Sequence, residues 1–190
     1  MIELDLNSID AIAAAAGPGS FTGLRIGAAT AKGLGLALDK PLISVPTVDA
    51  LAYNLYGCRE LICPMMDARR NQVYTGLYTF ERGKFQTVSS QEATGIDELM
   101  EKINALGRGV IFLGDGVPVY QEYVEEHCRI PHLYAPAHLN RQRAASVAAL
   151  GGIYYREGRT ENARDHRPEY LRLSQAERER LQREKEQGDR

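Results

Sequence analysis

The sequence has no tryptophan and only three cysteines in 190 residues. The missing tryptophan decides little, but the cysteines decide more. Cys58, Cys63 and Cys128 are odd in number and widely spaced, with no C-x-x-C pair and no His/Cys spacing suited to zinc. That argues against a disulfide framework or a zinc site and points to a reducing, cytoplasmic setting. A dominant charge is also lacking. Lys and Arg number 23 against 25 Asp and Glu, a net charge of -2, so no general pull toward nucleic acid or anionic membrane is expected. Long apolar runs are absent too. The longest are strand-length, and the Gly-rich segment after Ser20 carries Arg25, Lys32 and Asp39, so no transmembrane span is expected. The opening MIELDLNSID has neither the basic nor the apolar region of a secretory signal. What remains is a chain 44% hydrophobic, long enough for one ordinary domain or two small lobes.

Alternation of short segments gives the fold class. DAIAAAA (10–16) reads as a buried strand stopped by Gly17-Pro18-Gly19. Ser20 is a good N-cap for a helix running to about Leu38. PLISV (41–45) is a second strand, and the stretch from Pro46 to Gly57 a second helix. This β-α-β-α order implies parallel strands with packed helices. A new unit begins near Glu60. LICPMMDA, NQVYTGLYTF and FQTVSS read as three meandering strands, with ERGK as a turn. Helix 96–106, strand GVIFLGDG, helix 117–128 and helix 141–156 follow, the last with Ala144, Val147, Ala148 and Leu150 on its apolar side. This is the layout of a ribonuclease-H-like lobe. The expected organisation is a partial first lobe at 1–58, a second lobe at 59–173, and a charged tail at 174–190, solvated or disordered. The first lobe has no three-strand meander before its β-α-β-α, so a truncated lobe is expected, through a shortened chain or a misassigned start; a smaller module is the alternative.

The segment AAGPGSFTGLRIGAATAKGLGLALDK (15–40) resembles a phosphate loop opening a helix, and fails as one. A Walker A loop needs G-x-x-x-x-G-K-[ST], but Gly17 to Gly23 is the wrong spacing and Leu24 stands where Lys belongs. The G-x-G-x-x-G pattern fails because its third glycine, Gly23, comes one residue late. Free N–H groups at the helix start can still hold an anion, which leaves Gly17, Gly19 and Ser20 as candidate nucleotide contacts. The helix carries a second signal. Gly23, Gly27, Ala31 and Gly35 recur every four residues, and interior glycine costs about 1 kcal/mol against alanine. Another backbone must therefore come close. It belongs either to this chain's own sheet or following helix, or to a partner's helix pair.

Residues 17–52, GPGSFTGLRIGAATAKGLGLALDKPLISVPTVDALA, closely resemble the TsaB family of tRNA threonylcarbamoyladenosine biosynthesis proteins, in the glycoprotease-like branch of the actin-like ATPase superfamily. MMDARRNQVYTGLY (65–78), GDG (114–116) and HRPEYLRLSQAE (166–177) resemble its later signatures. The resemblance runs from about Ile9 to Glu177. It implies an α/β, actin-like ATPase fold of two ribonuclease-H-like lobes, the first lacking its initial three strands. The catalytic relative, TsaD, carries metal-binding histidines spaced H-x-x-x-H at its second helix; Thr47 and Leu51 stand there, so no metal and no catalytic residue is expected. The implied role is a non-catalytic partner and activator of TsaD in threonylcarbamoyl transfer to tRNA, with the ATPase TsaE in the same system and tRNA met through the complex. The expected pairing surface is Leu24, Gly27, Ala28, Ala31, Lys32 and Gly35 on the first helix and Val48, Leu51, Ala52 and Leu55 on the second. A homodimer through the same face is also implied, as is ATP or ADP at the partner interface. The alternatives are a glycoprotease-like metallopeptidase and a nucleotide-binding protein.

Other candidates reduce to structure. Asp67 sits where active actin-like ATPases place an acidic metal-phosphate ligand, but Ala68-Arg69-Arg70 follow it, and an Arg-paired turn is the simpler reading. Asp115 between two glycines reads as turn chemistry. His166 has no visible nucleophile or orienting acid in the sequence.

Overall fold

Ser20 and Asp39 bracket the long helix of the first unit. The structure is a computed structural model that describes residues 5–171; the tail at 174–190 and the end of the 166–177 motif lie outside them. The Ser20 hydroxyl accepts from the Gly23 N–H at 3.4 Å, and Asp39 ends the helix in the left-handed conformation at φ 52°. Between them α1 spans Phe21–Leu38. On either side lie β1 (Ile12–Gly17) and β2 (Leu42–Pro46), paired in parallel from Ile12 opposite Leu42. α2 (Thr47–Ala52) follows β2 directly and ends in a 3-10 turn at Tyr53–Leu55. It is half the length expected from the sequence.

The second unit is built on a five-stranded sheet. β3 (Leu61–Asp67), β4 (Gln72–Glu81) and β5 (Lys84–Gly95) form the antiparallel meander. Arg82 and Gly83, at φ 51° and 77°, close the β4–β5 hairpin as a two-residue turn. α3 (Ile96–Leu106), β6 (Val110–Leu113), α4 (Val117–His127) and β7 (His132–Tyr134) complete it. The strand order is β5-β4-β3-β6-β7, with β6 parallel to both β3 and β7. This is the ribonuclease-H-like arrangement that the sequence implied. Strand β3 is buried on both faces. Leu61, Cys63 and Met65 pack with α3 and α4, while Ile62 and Met66 pack with α2.

The division into lobes differs from the expected one in one respect. α5 (Ala144–Arg156) packs on β1 and β2, not on the five-stranded sheet. Its buried side is Ser146, Leu150, Gly151 and Tyr154, while Ala144 and Ala148 are exposed. Gly151 is required there, because a Cβ would lie 2.6 Å from that of Ala13. The chain then returns along the first unit. Glu161 bridges to Leu42 on the far edge of β2, Ala163 packs with Ala31 and Leu42, and the Glu169 N–H donates to the Ala16 carbonyl at 2.7 Å. Residues 144–170 thus belong physically to the first unit, although the chain order assigned them to the second.

Candidate functional site

α1 sorts its residues by face. Leu24, Ala28, Ala31 and Gly35 form the buried stripe. Gly35 is there to let β2 approach. A Cβ on it would collide with a methyl of Leu42 and sit 2.8 Å from the Cβ of Ala163. Four of the six residues expected to meet a partner on this helix are thus turned into the protein's own core. The Lys32 ammonium is likewise an internal tie, donating to the carbonyls of Arg164 at 2.8 Å and His166 at 3.2 Å. Gly27 is the exception, since it is exposed with no atom near its missing Cβ. On α2 the correction is complete for three residues. Val48, Leu51 and Ala52 are 0% exposed and packed against Ile62, Tyr78 and Leu113. Leu55 is half-buried against the same cluster.

What α1 presents to solvent is a different set of residues. Ile26 is 63% exposed, and Phe21, Leu34 and Leu36 are exposed with it. Gly33 joins Gly27 in having open space around it. Arg25 lies over the Phe21 ring at 3.9 Å. The outcome is an outward side of α1 centred on Ile26 and Gly33, with Leu36 and Leu34 on either side of them and Gly27 at the margin of the buried stripe.

The four candidate nucleotide contacts do not converge. Gly19 and Ser20 are exposed and line a groove of about 700 Å³ between α1 and β1. Gly17 is buried, its missing Cβ facing the Glu169 carbonyl. The Asp67 carboxylate accepts the Arg69 N–H at 2.9 Å, pairs with the Arg69 guanidinium at 3.1 Å and meets the Tyr120 hydroxyl at 3.4 Å. It is an Arg-paired turn residue. The groove is walled by Ile12, Ala14, Leu24 and Leu34, a poor surface for phosphate. The positions that resemble the metal histidines do not fit a metal either. Leu51 is sealed in an apolar cluster, and the Thr47 hydroxyl is buried with no hydrogen-bond partner.

Two polar clusters escaped sequence reasoning. His166, only 2% exposed, places Nδ1 2.9 Å from Glu161 Oε1 and 3.1 Å from the Ser44 hydroxyl, which itself bonds Glu161. An orienting acid and a hydroxyl are therefore present, contrary to the sequence reading. Both meet the same ring nitrogen, however, and Nε2 is buried with no partner. Nucleophile activation needs the acid and the nucleophile on opposite nitrogens, so this cluster anchors the returning chain. The second cluster centres on Asp49. Its carboxylate accepts from the Tyr78 hydroxyl at 2.6 Å and the Tyr154 hydroxyl at 3.1 Å. Burial raises its pKa above the usual carboxylate value, despite the opposing effect of those two bonds and the Arg159 charge. Burial and the Asp49 charge push Tyr154 up to about 12. These three residues come from α2, β4 and α5, and no local spacing could have joined them.

Comparison with known proteins places this geometry in a context. A family model described as TsaD, tRNA N6-adenosine threonylcarbamoyltransferase, matches residues 1–180. The chain is 34% identical over 166 residues to the tRNA threonylcarbamoyladenosine biosynthesis protein TsaB of Bacillus subtilis, spanning 87% of this chain and 71% of that one. To the Escherichia coli protein of the same name it is 28% identical over 174 residues, spanning 88% and 72%. Among solved structures it is similar to YeaZ from Pseudomonas aeruginosa, with a TM-score of 0.71 and 28% identity, covering 88% of this chain and 77% of that one. Among the described residues no helix is long and apolar enough to cross a membrane.

Proposed function

Because the chain belongs to the TsaB family of tRNA threonylcarbamoyladenosine biosynthesis proteins, we propose that it serves as a non-catalytic partner of TsaD in modifying adenosine in tRNA. The observation that carries the reading is the outward face of α1. An 18-residue helix leaves Phe21, Ile26, Leu34 and Leu36 in solvent and places an open glycine at 33 beside Ile26 on the side opposite its buried stripe. Exposed apolar side chains offer area to bury, and the glycine lets a second helix come close. The proposed docking surface is thus Ile26, Gly33, Leu34 and Leu36, which lie on the side of α1 opposite its buried stripe. It replaces the buried positions of α1 and α2. A homodimer would use the same face in competition with TsaD. TsaE and tRNA would join through the complex, and any ATP or ADP would sit at the partner interface.

The test is the affinity of the purified chain for TsaD. Ile26→Glu and Gly33→Glu should each weaken binding at least tenfold, about 1.4 kcal/mol, with the melting temperature within a few degrees of the parent because both sites face solvent. Leu51→Glu, by contrast, should unfold the chain, since it buries an unpaired charge. Unchanged affinity in both α1 variants would remove the surface assignment. No binding of TsaD by the parent chain would remove the functional reading.

A further inference from the structure

Three successive residues of the β3–β4 connection, Arg69, Arg70 and Asn71, hold left-handed backbone at φ 64°, 58° and 56°. Asparagine takes this conformation readily and glycine without strain, but arginine does not. The turn is nonetheless firmly held. The Ala68 N–H donates to the Gln72 carbonyl at 3.0 Å, the Gln72 N–H to that of Arg69 at 3.2 Å, and the Ile96 N–H to that of Asn71 at 3.1 Å. Internal contacts account for one of the two arginines, since Arg69 pairs with Asp67 at 3.1 Å. The Arg70 side chain is exposed and makes no hydrogen bond or ion pair among the described residues. Backbone strain of this kind collects at functional sites.

The topology brings further arginines to the same end of the second unit. β3, β6 and β7 run parallel, so the turns that follow them all leave from the carboxyl end of the sheet, the end at which open α/β sheets bind their ligands. Arg69 and Arg70 follow β3. Residues 114–116 follow β6 and lie against β3, the Gly116 N–H donating to the Met65 carbonyl at 2.9 Å. The segment after β7 is tied to the same place, where Asn140 Oδ1 accepts the Gly114 N–H at 2.5 Å. Arg141 and Arg143 come next, both exposed and both without a side-chain hydrogen bond or ion pair among the described residues. Met66, Asp115 and Gln142 line one groove, which sets the three turns side by side. Four arginines therefore face three acids: Asp67, already paired with Arg69, Asp115, and Asp10, which shares a groove with Arg143. The net charge of -2 for the whole chain conceals this local excess of cations.

We propose that the turns after β3 and β7 form a phosphate-binding surface for an RNA backbone, with Arg70, Arg141 and Arg143 as its contacts. Charge and chemistry set the occupant. A guanidinium binds phosphate oxygens through paired hydrogen bonds. RNA presents a phosphate at every nucleotide, so arginines on separate turns can each meet one. Contacts of this kind hold and orient RNA without reading its sequence. The inference rests on the reading of this chain as part of a tRNA-modifying system, and it gives the chain a direct hold on the tRNA beside that of its partner.

The experiment measures binding of an unmodified tRNA transcript by fluorescence anisotropy, with the full chain alone and with TsaD added, from about 50 to about 200 mM salt. Arg70→Gln, Arg141→Gln and Arg143→Gln should each weaken binding roughly threefold or more and lower the slope of log affinity against log salt by about 1. Lys84→Gln removes the same charge at the opposite end of β4, on the β4–β5 hairpin, and should change neither. Arg70→Gly separates binding from folding. It should bind RNA as weakly as Arg70→Gln while keeping or raising the melting temperature, because glycine holds φ 58° without strain. A lower melting temperature in Arg70→Gly would make Arg70 a structural residue and overturn its part in the surface. The proposal as a whole is overturned by any of three results: no salt-dependent RNA binding by the parent chain in either setting, an equal loss in Lys84→Gln, or arginine variants that lose affinity for TsaD and not for RNA. The last would assign the arginines to an acidic protein surface. Affinity for TsaD is measured separately, so a chain that binds RNA through these arginines but not TsaD would remove the partner reading and leave the surface standing.

Discussion

The glycines of α1 do opposite work at neighbouring positions. Gly35 has Leu42 and Ala163 against it, whereas Gly27 and Gly33 have nothing within 4 Å. Gly27→Ala and Gly33→Ala should therefore each stabilise the protein by about 0.5–1 kcal/mol, by restoring helix propensity without a clash. Gly35→Ala should destabilise it, because overpacking of about 1–3 kcal/mol outweighs that gain. Thermal unfolding of the three variants checks the signs; a stabilised Gly35→Ala would mean that β2 has room to retreat. The glycine content was legible in the sequence, and so was the inference that a backbone comes close. Which backbone was not. Residues four apart on a helix drift by about 40° per step, so the row from Gly23 to Gly35 winds roughly 120° around α1. It starts in solvent at Gly23 and Gly27 and ends in the core at Ala31 and Gly35.

α2 is enclosed where the sequence placed an exposed pairing surface, and the cause is its position. A six-residue helix with Thr47, Val48, Ala50, Leu51 and Ala52 all buried is apolar nearly all round, the mark of a helix enclosed by other elements. Its one charged residue, Asp49, is held by hydroxyls from β4 and α5. Since burial raises the pKa of Asp49, the folded state favours the protonated carboxyl. The stability this group contributes is complete below its ordinary value of 3.8 and is lost as pH rises through the raised folded value. Asp49→Asn does not ionise, and it keeps an acceptor for one tyrosine. Its melting temperature minus that of the parent should therefore increase from about pH 4 upward and level off once the parent's carboxyl is ionised. A difference independent of pH would mean that the two tyrosines fully offset the burial. The meander and the β-α-β alternation were legible because turn residues and apolar runs are local signals. β7 was missed because three residues between Pro131 and Pro136 carry too little pattern.

The two units are joined by more than the chain between them. α2 enters the second unit's cluster through Val48, Leu51 and Ala52, and meets the first unit's through Ala50. α5 and residues 161–170 come after the second unit in sequence yet pack on the first. Cutting the chain between 58 and 59 therefore does not separate two bodies. A fragment of residues 59–173 would lose the side chains that cover Ile62, Tyr78 and Leu113, and its α5 would lose Ile43 and Val45 beneath Leu150 and Tyr154. Burial at roughly 25 cal/mol per Å² of apolar surface makes such exposure costly for a domain stable by only about 5–15 kcal/mol. The fragment should keep strand signals in far-UV circular dichroism, bind a hydrophobic dye and lack a sharp melt. Adding residues 1–58 should restore a cooperative transition. The intact chain should unfold in one step, with hydrogen exchange at Ile43 in the first unit and Phe112 in the second reporting the same opening free energy. Two separated free energies, or a fragment that melts sharply by itself, would show that the covalent order sets the folding units and that the returning helix is only draped over the first one.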